Sequence, residues 1–136
     1  MPESCPFNIV IYPPQAVRER AVRVSAALKE KGGLFELDDV EYFPHLTIIM
    51  QEFPLENIPA VCATLKGLAD RTQPFYLQSL GYRQNERGYA DVEFEATAVR
   101  LLQKEIGDLF IPLRNGLLRK GDAEYMKGCS ELEANN

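Results

Sequence analysis

The sequence alternates between short runs of β-forming residues and longer segments with helical periodicity. The first run, Asn8-Ile9-Val10-Ile11-Tyr12, is apolar and β-branched, and Pro13-Pro14 stops it, which predicts a buried strand. From Gln15 to Lys31 apolar residues recur at steps of four, three and four, so they share one face of a helix. Gly32-Gly33 follows, where a left-handed backbone can end that helix. The apolar positions are Val17, Ala21, Val24 and Leu28.

A second β-forming run extends from Tyr42 to Met50. Before it, Phe35 to Val40 alternates roughly and predicts either a strand or an extended approach to one. Pro44 cannot donate to a sheet ladder, so we expect it at the start or the edge of the strand. A period of two then divides the strand into two faces. One face carries His45, Thr47 and Ile49, and the other carries Leu46, Ile48 and Met50.

The second half of the chain predicts a helix, a hairpin and another helix. Asn57 is expected to be the N-cap of the first of these helices, with Pro59 in its first turn. The last helix is expected to start after Thr97, and Gly107 and Pro112 weaken its end. The arms of the hairpin are residues 75–82 and 89–94, around a turn at 84–88.

The resulting order, β-α-β-α-β-β-α, predicts an α+β fold. We expect an antiparallel-rich sheet with the helices packed on one of its faces. The 136 residues suit one domain of ordinary size, which we assign to residues 1–118. Residues 119–136 are mostly polar and predict a poorly ordered tail.

Composition restricts the classes of function. Apolar residues make up 46% of the chain, enough to bury a core. The formal charge of −5 argues against a broad electrostatic grip on duplex DNA, although a small basic pocket for one phosphate remains compatible with it. The sequence predicts neither a membrane span nor a secretory signal. Three widely spaced cysteines (Cys5, Cys62 and Cys129) predict neither disulfides nor a metal site, so we expect a cytoplasmic protein.

His45 is the one histidine in the chain and the main catalytic candidate. A single histidine is most often structural, and that alternative stays open. Thr47, however, lies two positions away on the same strand face, roughly 6.5–7 Å along the backbone. One side chain can transfer a proton while the other donates a hydrogen bond to the same phosphate. Leu46 and Ile48 would anchor the opposite face in the core and thereby direct the pair.

The segment Pro44-His45-Leu46-Thr47-Ile48 resembles the first motif of the 2H phosphoesterase superfamily. That superfamily includes 2′-5′ RNA ligase-like proteins and cyclic nucleotide phosphodiesterases. A strand ending in Pro13-Pro14 and an amphipathic helix precede the motif, and the order of elements is similar to the first part of the bilobal 2H fold. The resemblance covers most of residues 7 to 118, but only the motif is specific.

The resemblance implies a mechanism. In such proteins two His-x-Thr/Ser motifs face each other across a cleft, one histidine acting as general base and the other as general acid on a phosphodiester. His45 would be one of these groups, and Thr47 would hold a nonbridging oxygen. The substrate would be a nucleotide or RNA terminus with a 2′,5′- or 2′,3′-cyclic phosphodiester. The mechanism normally requires no metal or other cofactor.

The chain departs from the family pattern in its second half. No second histidine exists, and the chain stops a short way past the place where the second motif is expected. Thr97 and the pair Cys129-Ser130 offer no equivalent proton-transfer group. We therefore expect an incomplete second lobe and an impaired enzyme, since losing one of two such groups costs on the order of 100- to 10,000-fold in rate.

Other readings and site residues stay open at this stage. The chain could be a non-catalytic nucleotide-binding or interaction remnant of that family, or two copies could pair so that each supplies one His45. Tyr82 could stack on a base, although packing over the sheet edge is an alternative. Arg114, in a small basic cluster with Arg119 and Lys120, could meet a phosphate or could simply form a solvated helix end.

Overall fold

The computed structural model describes residues 3–85 and 88–119 and has an α+β fold. Three helices and four strands lie in the predicted order. The predicted tail lies outside the described residues except for Arg119, and so does part of the hairpin turn. The strands are β1 (Ser4–Ile11), β2 (Leu46–Pro54), β3 (Ser79–Gln84) and β4 (Ala90–Phe94), and the helices are α1 (Gln15–Glu30), α2 (Ile58–Arg71) and α3 (Thr97–Phe110).

The described strands form two separate two-stranded sheets rather than the single sheet expected. β3 pairs with β4 in antiparallel register, with Tyr82 opposite Val92 and a shift between Ser79 and Gly81. β1 pairs with β2, and side-chain contacts give the direction. Ser4 bonds to Glu52 and Asn8 bonds to Thr47, so the two strands run in opposite directions.

The described chain divides into two compact units, and β1 and β2 contribute residues to both. The first unit is Asn8–Met50, which contains α1 and the segment that follows it. The second takes the remaining described residues. Its buried apolar side chains come from β2, α2 and α3: Phe53, Val61, Leu68, Ile106 and Phe110.

Helix α1 differs from its predicted role. It has the expected bounds to within one residue, but none of its residues is buried. Val17, Val24 and Leu28 of its apolar stripe are 50%, 41% and 47% exposed. Periodicity correctly identified an apolar face, but the described residues do not cover it, so the expectation that all the helices pack a face against a sheet is not met for α1.

Residues 31–45 contain no strand, so the possible strand at Phe35–Val40 is not formed. Asp38 organises this segment instead. Its carboxylate accepts hydrogen bonds from the backbone N–H groups of Val40, Glu41 and Tyr42 at 2.8–2.9 Å. These three bonds lower the pKa of Asp38, with the Val40 N–H contributing most. These bonds fix the backbone of the segment just before β2.

No described helix is long and apolar enough to span a membrane.

Candidate functional site

His45 and Thr47 both lie on the surface of the first unit. His45 immediately precedes β2, and Thr47 is the second residue of that strand. Both side chains are exposed. The alternation between two faces breaks further along, because Ile48 and Ile49 are both buried and Met50 is exposed. Both candidates are thus exposed, with His45 just before the strand and Thr47 within it, but the predicted division into two faces is wrong for Ile49 and Met50.

The imidazole of His45 is held by its own approach segment. Nδ1 lies 2.8 Å from the carbonyl oxygen of Phe43. A carbonyl oxygen can only accept, so Nδ1 must carry the proton in this contact. In the neutral ring the proton on Nδ1 leaves Nε2 as the unprotonated nitrogen. The ring therefore presents Nε2 as a proton acceptor.

The hydroxyl of Thr47 is oriented by the neighbouring strand. Asn8 of β1 donates from Nδ2 to Thr47 Oγ1 at 3.2 Å. A hydroxyl has one proton to donate and two lone pairs to accept with. The amide of Asn8 occupies a lone pair and leaves the hydroxyl proton available for an acceptor such as a phosphate oxygen. Sequence reasoning missed Asn8, because only the β1–β2 register places it beside Thr47.

Tyr12, Arg18 and Asp39 form a polar cluster in the same unit, which we call the tyrosine cluster. Tyr12 Oη donates to Asp39 Oδ1 at 2.9 Å, and Arg18 Nε donates to the same oxygen at 3.0 Å. The guanidinium carbon of Arg18 lies 4.1 Å from the centre of the Tyr12 ring. Arg18 Nη1 also donates to the carbonyl oxygen of Pro13.

The tyrosine cluster draws two charged side chains, Arg18 and Asp39, partly out of solvent. In the structure their side chains are only 18% and 31% exposed, because they pair with each other. Asp39 also has a positive φ of 63°, a conformation that a non-glycine residue rarely adopts. The hydrogen bond to Asp39 raises the pKa of Tyr12, and this effect exceeds the lowering caused by the positive charge of Arg18.

The two remaining candidates lie in the second unit. Tyr82 sits on β3 with 70% of its surface exposed. Arg114 follows α3 in a 3₁₀ turn and is only 6% exposed, so the solvated helix end proposed for it is wrong. Its Nε and Nη2 both donate to the carbonyl oxygen of Leu117. The guanidinium of Arg114 thus holds the chain after α3, and Lys120 of its predicted basic cluster lies outside the described residues.

Within residues 3–85 and 88–119, no group of three or more His, Cys, Asp or Glu side chains is placed to hold a metal ion. The chain was also compared with protein-family models, with curated proteins and with solved structures, and it matches none of them.

Proposed function

We propose that the His45–Thr47 pair acts on a phosphodiester, with the imidazole as the proton-transfer group and the hydroxyl as a donor to a nonbridging oxygen. The observation that carries this proposal is the state of the two polar groups on one exposed strand end. Nε2 of His45 is left to accept a proton, and Thr47 keeps its hydroxyl proton to donate. Hydrolysis of a phosphate ester needs at least a base that takes a proton from the attacking water and a donor that stabilises a nonbridging oxygen.

The substrate class comes from the resemblance to the 2H phosphoesterases. It would be a 2′,5′- or 2′,3′-cyclic phosphodiester at a nucleotide or RNA terminus. In the hydrolysis of a 2′,3′-cyclic phosphate, water adds to phosphorus and gives its proton to Nε2, while one bond from phosphorus to a ribose oxygen breaks. The released alkoxide takes a proton from solvent or from a second acid.

The rate should be low, because the chain supplies only one histidine. A second, dedicated acid for the leaving group would be worth about 100- to 10,000-fold in rate. The proposal is therefore an impaired phosphodiesterase. The same observation favours a second candidate function, in which the pair binds a nucleotide phosphate without chemistry, as a remnant of that family. Pairing of two copies, each supplying His45, would restore the missing acid and would make activity rise with the degree of association.

Hydrolysis of a 2′,3′-cyclic nucleotide separates the two functions. We expect slow turnover by the native chain, with His45→Ala reducing it about 100-fold or more and Thr47→Val reducing it about 100-fold. Two variants serve as matched controls on the same sheet. Ser4→Ala also deletes a hydroxyl that bonds across β1 and β2, and Met50→Gln changes an exposed residue of β2.

Turnover that survives His45→Ala would refute the catalytic proposal. Absence of turnover, together with nucleotide binding that weakens in Thr47→Val but not in Ser4→Ala, would establish the binding function instead. The paired form is tested by light scattering and specific activity, both measured across a concentration series of the native chain. Pairing predicts that specific activity rises with the fraction of dimer, and a chain that stays monomeric would rule pairing out.

A further inference from the structure

We propose that Tyr12 is a positioning residue that, through Phe43, holds the imidazole of His45 in the Nδ1-protonated form. The inference deepens the proposed function and rests on it for its catalytic meaning. The contacts that support the inference all lie within the first unit. Tyr12 acts on His45 through Phe43 and does not itself contact a substrate.

The orientation of His45 depends on Phe43 in two ways. The backbone carbonyl of Phe43 accepts from Nδ1, and the Phe43 ring lies 5.2 Å from the imidazole, centre to centre, at an angle of 54°. His45 itself is exposed, so little else restrains its ring. If Phe43 moves, the carbonyl moves with it, and the preference for one tautomer is lost.

Phe43 is in turn held by Tyr12. The two rings meet edge to face, with centres 5.5 Å apart and planes at 68°. This geometry is a favoured one for aromatic pairs, because the positive edge of one ring meets the negative face of the other. Residue 43 has no regular secondary structure of its own, so this ring contact substitutes for the restraint that a strand would give.

Tyr12 is fixed from its far side by the rest of the tyrosine cluster. The guanidinium of Arg18 covers the Tyr12 ring, and the carboxylate of Asp39 accepts a hydrogen bond from the Tyr12 hydroxyl. Arg18 and Asp39 are also bonded to each other, so the three side chains close a ring of contacts. Asp39 holds its positive φ within the segment that Asp38 organises. The cluster therefore gives Tyr12 a defined place against which Phe43 can pack.

The single histidine makes the inference directly measurable. Selective ¹⁵N labelling of histidine gives one imidazole, and its two nitrogen shifts report the tautomer in the neutral ring without any activity assay. We expect the native chain to show mainly Nδ1–H. Tyr12→Leu should lower the ratio of the Nδ1–H to the Nε2–H form by about two- to tenfold, which is the range expected when an aromatic pair is lost.

Two further variants test the same chain of contacts. Tyr12→Phe keeps the ring and loses only the hydroxyl bond, so it should retain most of the native tautomer ratio. Phe43→Leu removes the next ring and should repeat the effect of Tyr12→Leu, which also covers the case in which Tyr12→Leu fails to fold. Tyr76→Ala, at a fully exposed tyrosine of the second unit, is the matched control and should leave the ratio unchanged.

The positioning role is overturned if the native ring is mainly Nε2–H, or if folded Tyr12→Leu and Phe43→Leu both keep the native ratio. A shifted ratio in these variants, in a chain that does not hydrolyse the cyclic nucleotide, supports the positioning role while the proposed catalysis fails. Where turnover is present, the pH profile of Tyr12→Leu should change together with the tautomer ratio, and that of Tyr12→Phe should resemble the native profile.

Discussion

Phe53 joins β2 to the core of the second unit, and replacing it with alanine should be among the most damaging changes to that unit. Its side chain is completely buried. The ring meets Phe110 edge to face at 5.7 Å between centres and lies 6.2 Å from Phe7. Residue 53 is near the end of β2, and the two rings it contacts belong to the same unit.

The expected cost follows from area and packing. A buried phenylalanine removes roughly 200 Å² from water, which at about 25 cal/mol per Å² corresponds to about 5 kcal/mol. Alanine keeps the β-carbon, and truncations of this kind typically cost about 3–5 kcal/mol. We therefore expect Phe53→Ala to reduce the free energy of unfolding by about 4 kcal/mol, against about 5–15 kcal/mol for a whole domain.

Urea unfolding followed by circular dichroism measures this loss. Phe75→Ala is the matched control, because Phe75 belongs to the same unit but is 37% exposed, and it should cost much less. Phe110→Ala should cost about as much as Phe53→Ala, and the double variant should fall short of the sum by about 1 kcal/mol, the coupling expected of an aromatic pair. A loss below about 1.5 kcal/mol for Phe53→Ala would refute the reasoning, since removing a fully buried ring should lower the free energy of unfolding by more than that.

Two pH dependences follow from the first unit. Folding lowers the pKa of Asp38, so its charged form stabilises the unit above the ordinary value of 3.8, and that contribution is lost as the pH falls through the lowered pKa. The native chain should therefore lose stability on acidification, with a smaller loss in Asp38→Asn, as measured by urea midpoints over an acid pH series. Folding raises the pKa of Tyr12, so its neutral form stabilises the unit below the ordinary value of 10.0, and that contribution is lost as the pH rises through the raised pKa. Phenolate absorbance, compared between the native chain and Tyr12→Phe, should show that the pKa of Tyr12 lies above 10.0.

Each of these has a clear contrary result. An acid stability curve that is the same in the native chain and in Asp38→Asn would show that folding does not lower the pKa of Asp38. A difference spectrum that gives Tyr12 a pKa at or below 10.0 would show that its hydrogen bond to Asp39 is not formed in solution.

The helices were largely predictable from the sequence because their signals are local. Pro13-Pro14 and Gly32-Gly33 bracket α1, and Asn57 with Pro59 marks the start of α2. Asn57 nevertheless caps no N–H with its side chain and instead donates to the carbonyl oxygen of Leu113. A local pattern gives the position of a helix end, but the partner of a polar side chain depends on which distant segment comes near.

The strand pairing and most of the site depend on contacts between distant segments, so the sequence pattern could not supply them. His45 and Thr47 are both exposed, but the period-two division into faces was wrong for Ile49, which is buried, and for Met50, which is exposed. Asn8 joins Thr47 only through the β1–β2 register, 39 positions away, and Tyr12 meets Asp39 across 27. The separation of the strands into two sheets is likewise set by pairing, which a one-dimensional pattern does not encode. The membership of the 2H superfamily stays a prediction.

The left-handed backbone at Asp39 implies a narrow tolerance to substitution at this position. Glycine and asparagine accept a positive φ readily, but neither offers a carboxylate to Arg18 and Tyr12. Glutamate keeps the charge, yet it suits this backbone poorly and extends the carboxylate by one methylene. Aspartate alone combines a carboxylate of the right length with tolerance of this backbone conformation. A library of all residues at position 39, selected for folded protein, should therefore retain mainly aspartate, although the position is in a loop.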